Sequence, residues 1–122
     1  MLMPRQYVRR PVDLEVRCAT RDASLVSRAR NLSRGGLFLA SEVTLPVAET
    51  VELTLALPER RDDLHARGQV IWTSGTGPGG DARPGPHGMG IKFLEMSPVD
   101  FESLAEYLAV LPGRGSRVGG ST

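Results

Sequence analysis

Between residues 12 and 18 every second side chain is apolar: Val12, Leu14, Val16 and Cys18, with Asp13, Glu15 and Arg17 between them. Successive residues of a strand point to opposite faces, so this period of two fits a half-buried strand and no face of a helix. The same alternation returns at 51–57, at 64–73 with Leu64, Ala66, Gly68, Val70 and Trp72 in phase, and at 89–94 with Met89, Ile91 and Phe93 in phase. A more polar strand is predicted over 24–32, after a turn at Arg21-Asp22-Ala23, and a short apolar strand over 37–40. Six strands separated by turn signals predict an all-β barrel or sandwich. Gly68 and Gly90 fall inside strands, where glycine marks a bulge or a barrel corner.

One helix is expected at the end. Ser97 is a natural N-cap, Pro98 suits the first helical position, and Asp100 suits the first turn. Phe101, Leu104 and Leu108 are predicted to share the face that lies on the barrel, and Pro112-Gly113 stops the helix. Residues 74–88, rich in Gly and Pro, read as a flexible hairpin loop, and 112–122 as a disordered tail. The domain is therefore expected over 1–111, with an N-terminal arm at 1–11.

A chain of 122 residues has room for one modest core. Its single cysteine excludes an internal disulfide framework and a Cys-based zinc site, and two histidines do not suggest a metal centre. There is no apolar run of membrane-spanning length and no signal-peptide pattern, so a cytoplasmic domain without membrane insertion and without cofactor is expected. The glycines at 75–80 lack the Gly-Lys-Ser/Thr ending of a phosphate loop. His65 lies on the polar side of its strand, and Cys18 reads as a small buried hydrophobe. No nucleophile–base pattern or carboxylate pair stands out, so no catalytic residues and no enzyme are expected.

Net charge is +1, but residues 1–34 carry eight arginines against three acidic residues. Residues 35–111 carry five basic against eleven acidic residues. The positive first third favours an anionic partner there. Fourteen of the fifteen basic residues are arginine. Arginine-rich coding accounts for this bias, and so does the match of arginine's planar fork to phosphate and guanine.

Two segments carry specific chemistry. In Arg5-Gln6-Tyr7-Val8-Arg9-Arg10-Pro11, two arginines four apart can close on a flat anion from two sides. Alone, the segment is also what a solvated basic arm looks like. In Asn31-Leu32-Ser33-Arg34-Gly35-Gly36, an amide and a hydroxyl two residues apart would face one side of a strand end. The glycine pair permits positive φ and close approach of a ligand, although a polar turn accounts for this stretch taken alone.

Together they resemble the PilZ family, whose signature is RxxxR followed, after a strand–turn–strand, by (D/N)xSxxG. The entry Arg9-Arg10-Pro11-Val12-Asp13-Leu14 and the ending Gly88-Met89-Gly90-Ile91-Lys92-Phe93-Leu94 with Ser97-Pro98 extend the resemblance over roughly residues 5–110. It implies a six-stranded antiparallel β-barrel with one C-terminal helix, binding the bacterial second messenger cyclic di-GMP. Arg5 and Arg9 would grip phosphates and guanine edges, Asn31 and Ser33 would hydrogen-bond a guanine, and Gly36 would leave room on the barrel surface. Arg10, Arg34 and Gly35 are possible additional contacts. Such a domain would act as an adaptor for an effector protein in motility, exopolysaccharide or biofilm output, its arm mobile without ligand and ordered by it. Two other readings are an interaction module of the same fold that has lost the nucleotide, and a small nucleic-acid-binding barrel. Few strand aromatics are expected to be exposed for base stacking, Trp72 sharing an apolar face, so no DNA partner is expected.

Overall fold

The computed structural model describes residues 8–58, 60, 62–74 and 87–111. Six antiparallel strands close into a barrel in the order β1-β2-β3-β6-β5-β4. They are β1 (Arg10–Ala19), β2 (Ser24–Leu32), β3 (Gly36–Ala40), β4 (Thr50–Leu55), β5 (Leu64–Ser74) and β6 (Gly88–Met96), followed by helix α1 (Pro98–Val110). The predicted barrel and its terminal helix are both present. Arg10 and Pro11, placed in the arm by the sequence reading, already pair with Leu32 and Asn31 of β2. The predicted tail at 112–122 and most of the loop at 74–88 lie outside the described residues.

The alternating positions fill the barrel. Val16, Leu37, Leu39, Leu53, Leu55, Met89 and Ile91 are among its fully buried side chains. Each contributes about 1.5–3 kcal/mol by leaving water. Cys18 belongs to the same cluster, and burial pushes its thiol up to about 11.

Three strand pairings depart from simple alternation. The β1–β2 register shifts between Pro11 and Leu14, and the β2–β3 register shifts between Ala29 and Asn31. The β5–β6 register shifts twice, between Arg67 and Gly68 and between Val70 and Trp72. The last shift corrects the reading of Trp72. Val70 is in the core, Ile71 is the extra residue, and Trp72 pairs with Gly90. Its ring stacks on Phe38 with centroids 5.5 Å apart. Leu37 and Leu39 point into the core, so Phe38 between them points outward, and Trp72 covers it there. A Cβ at Gly90 would run into the Trp72 ring, and one at Gly88 would meet Phe38.

Helix α1 starts as predicted: Ser97 accepts from the Asp100 N–H at 3.1 Å, with Pro98 behind the cap. Its rotation differs from the expectation. Leu104 and Leu108 are buried, but Phe101 is 43% exposed. Two polar contacts explain this. β6 ends at Met96, opposite Ala66, and Asp100 accepts the next N–H of β5, that of His65, at 3.2 Å. Arg60 donates to the Ser103 hydroxyl at 2.9 Å. With Asp100 and Ser103 turned to the barrel, Phe101 sits at the edge of the packed stripe.

The turn before β4 places a non-glycine residue in the left-handed region, Ala48 at φ 81°. The Glu49 N–H closes the turn on Pro46 O at 3.1 Å, and Ala48 N–H is clamped to Val70 O at 2.7 Å. Left-handed backbone costs an L-residue about 1–2 kcal/mol, and glycine returns part of that as chain entropy. Ala48→Gly is expected to raise the Tm by about 2–5 °C in thermal unfolding followed by circular dichroism. A lowered Tm would mean that the Ala48 methyl contributes more than the strain costs. Cys18, buried and with a raised pKa, should resist a thiol reagent at pH 8 in the folded protein and react at once in denaturant. Fast labelling of the folded protein would contradict the inward placement of this strand face.

Candidate functional site

The two halves of the sequence signature meet at one end of the barrel. Arg9 lies just before β1, and Asn31 is the last residue but one of β2. Arg9 Nη1 donates to Asn31 Oδ1 at 2.6 Å, joining residues 22 apart in the chain. Pairing of Pro11 with Asn31 fixes how far the arm has travelled when it reaches this point. The contact uses one of the five donors of the guanidinium and one of the two lone pairs of the amide oxygen. The rest of both groups is available for a ligand.

The turn from Ser33 to Gly36 is held from within. Ser33 N–H donates to Gly36 O at 2.9 Å, and the Ser33 hydroxyl accepts from Gly35 N–H at 3.0 Å. Ser33 is only 5% exposed. Its hydroxyl therefore shapes the turn, with one lone pair left over. Phe93 N–H donates to Gly35 O at 2.8 Å and ties the turn to β6.

Gly36 is required by close approach. Its φ lies outside the left-handed region, but a Cβ would overlap the Ile91 carbonyl oxygen. Gly36 thus serves by close approach and does not use the positive φ that the glycine pair permits.

A surface cleft of about 540 Å³ lies over this turn, lined by Arg9, Ser33, Arg34, Gly35, Gly36, Lys92 and the apolar side chains Ile71, Phe93 and Leu94. Among the described residues, no carboxylate lines it. Among the described residues, none of the ion pairs involves Arg9, Arg34 or Lys92. Arg10 lies elsewhere, in an adjoining cavity of about 300 Å³ with Val8, Arg34 and the α1 residues Ala105, Leu108 and Ala109. Arg34 is shared by both. Arg5 lies outside the described residues.

The basic excess of the first third is thus unequal in kind. Arg28 Nε bonds Asp13 Oδ1 at 2.8 Å, and Arg30 reaches the same oxygen at 3.5 Å. The Arg28 hydrogen bond holds the Asp13 carboxyl below its ordinary range. These arginines carry local counter-charge, whereas those of the cleft do not.

A family model for the PilZ domain matches residues 4–110. The chain belongs to the PilZ family. Among solved structures, this PilZ domain is similar to the Bacillus subtilis inhibitor of motility MotI/DgrA, with TM-score 0.69 and 21% identity over 87% of this chain and 49% of that one. It is similar to Escherichia coli YcgR in complex with c-di-GMP, with TM-score 0.70 and 21% identity over 95% of this chain and 49% of that one. The isolated PilZ domain of YcgR with c-di-GMP gives TM-score 0.65 and 18% identity, covering 87% and 88%. This chain spans about half the length of the first two. The likenesses show a common fold. A search of curated protein sequences gave no match.

The sequence reading missed part of the PilZ domain's cleft wall. Ile71 and Leu94 are exposed because each sits at a register shift between β5 and β6. Lys92 reaches the cleft because β6 pairs with β3, placing it opposite Gly36. Its outward phase was legible from the alternation Met89, Ile91, Phe93; its neighbour across the sheet was not. Among the described residues, no helix is long and apolar enough to cross a membrane and no cluster of His, Cys, Asp or Glu is placed to hold a metal ion.

Gly36→Ala should lower the stability by about 1–3 kcal/mol, because the added methyl forces β3 away from the Ile91 carbonyl. Chemical denaturation read by fluorescence checks this. A fully stable variant would show that the strands separate at no cost.

Proposed function

We propose that this chain is a receptor for cyclic di-GMP, binding it in the cleft over the Ser33–Gly36 turn and passing the event to an effector protein. The observation that carries the reading is the Arg9–Asn31 hydrogen bond, which joins the two halves of the signature beside a cleft that, among the described residues, no carboxylate lines. The family and the c-di-GMP named with both YcgR structures support it.

In this reading Arg9 keeps Nη1 on Asn31 and turns its remaining donors to a phosphate or to the O6/N7 edge of a guanine. Arg5, four residues earlier, supplies the second fork. Asn31 is held by Arg9 with a lone pair and its amide N–H groups free for a base. Ser33 keeps the turn in shape and offers its remaining lone pair, and Gly36 leaves the surface flat. Arg34, with Gly35, adds to the wall, and Arg10 acts from the neighbouring cavity. The cleft binds and the surrounding surface reports, with no residue assigned to catalysis. The output, in motility, exopolysaccharide or biofilm control, comes through the partner that reads the arm and the shared Arg34.

Titration calorimetry tests the reading. The protein should bind cyclic di-GMP in preference to cyclic di-AMP, since adenine presents a donor where guanine presents O6. Arg9→Ala should cost about 1–3 kcal/mol of binding, the scale of one bidentate arginine–guanine contact. Arg17→Ala, on the outer face of β1 and remote from the turn, should cost almost nothing. Equal binding of both nucleotides, or equal losses in the two variants, would reduce the interaction to diffuse charge.

A further inference from the structure

The cleft contains a cation that neither half of the signature includes. Lys92 is the chain's sole lysine. It stands exposed in the middle of β6, paired with Gly36 of β3 on one side and Gln69 of β5 on the other. Gly36 puts no side chain between it and the turn. Glu95, three residues on, is engaged by Arg67 at 2.8 Å. Gln69 is neutral, so no counter-charge on the two paired strands is placed to neutralise Lys92. Asn31 lies on β2, two strand spacings or roughly 10 Å away, and Arg9, just before β1, reaches it through its side chain. The cleft is therefore flanked by cations on both sides of a bare glycine, with Ile71, Phe93 and Leu94 as an apolar wall beside Lys92. Such a wall strengthens a charge pair by excluding water.

We propose that Lys92 is a phosphate-holding residue of this cleft, gripping the anion from the β6 side while Arg9 grips from the β2 side. The inference rests on the reading that the cleft binds a cyclic dinucleotide, and it adds a division of labour to that reading. An ammonium is a compact charge with three donors and no planar fork. It suits phosphate oxygens, so Lys92 contributes affinity without base preference. The arginine forks and Asn31 carry the preference for guanine.

Having one lysine makes the test direct. Reductive methylation of the full chain with ¹³C-formaldehyde labels only Lys92 and the α-amino group, and the signal missing from Lys92→Gln identifies that of Lys92. Both keep their charge. On titration with cyclic di-GMP the Lys92 methyl resonance should shift. In calorimetry, Lys92→Gln should weaken cyclic di-GMP about five- to tenfold, the scale of a partly exposed charged hydrogen bond. It should weaken cyclic di-AMP by the same factor, leaving the preference between them unchanged. Lys92→Arg should restore affinity, and the Tm of both variants should match the wild type.

If the wild type binds cyclic di-GMP while the Lys92 resonance stays still and Lys92→Gln binds as well, this assignment fails and the receptor reading stands. A change in base preference in Lys92→Gln would also overturn it, by making Lys92 a base contact. If calorimetry shows that the wild type binds neither nucleotide, the receptor reading falls, and this assignment with it.

Discussion

Closure of the barrel through β1 and β4 is the constraint on which everything else in this molecule depends. β1 pairs with β2 along one side and with β4 along the other, from Val16 opposite Leu55 to Ala19 opposite Glu52. An open six-stranded sheet would leave two edges and a core exposed at its margins. Once closed, each inward residue meets others from across the barrel, and Leu14, Val16 and Cys18 are sealed. Closure also fixes where β1 begins, and so where the segment before it runs. Arg9 meets Asn31 because the β1–β2 register carries it there.

Counter-charge follows from the same geometry. On the outer face of β1 and β2, Asp13 serves two arginines. On β4, β5 and β6, Arg67 is held between Glu52 and Glu95. These surface pairs add little stability. Their effect is to quiet part of the charge on the barrel wall, while Arg9, Arg34 and Lys92 of the cleft enter no ion pair among the described residues. A net charge of only +1 is thus compatible with one strongly electropositive spot.

Strand positions were legible because the period of two is a local property, written out in Val12 to Cys18 and again in Leu64 to Val70. The helix cap was legible for the same reason: Ser97, Pro98 and Asp100 act within one turn. What escaped was set by partners distant in sequence. The extra residues Ile71 and Leu94 are defined by the neighbouring strand, so Trp72 looked inward by parity and faces outward in the barrel. Phe101 was assigned to the packed face because apolar spacing was weighed and the polar anchors at Asp100 and Ser103 were not visible. At the site, the spacing of Arg9 and Asn31 was readable as a signature, whereas Lys92 depended on the pairing of β6 with β3.

The stacked Phe38 and Trp72 give the barrel two mechanically different sides. Across β3, β6 and β5 the wall is packed on both surfaces: Leu37, Leu39, Met89 and Ile91 within, and the two rings lying over Gly88 and Gly90 without. Bending that wall would disturb both layers at once. Among the described residues no such outer layer covers β2, whose buried residues are only Ala29 and Leu32. It borders β1, whose register is already shifted near Pro11. Bending therefore meets the least resistance in β1 and β2, beside Arg9 and Asn31, and the doubly packed side is the frame that holds them.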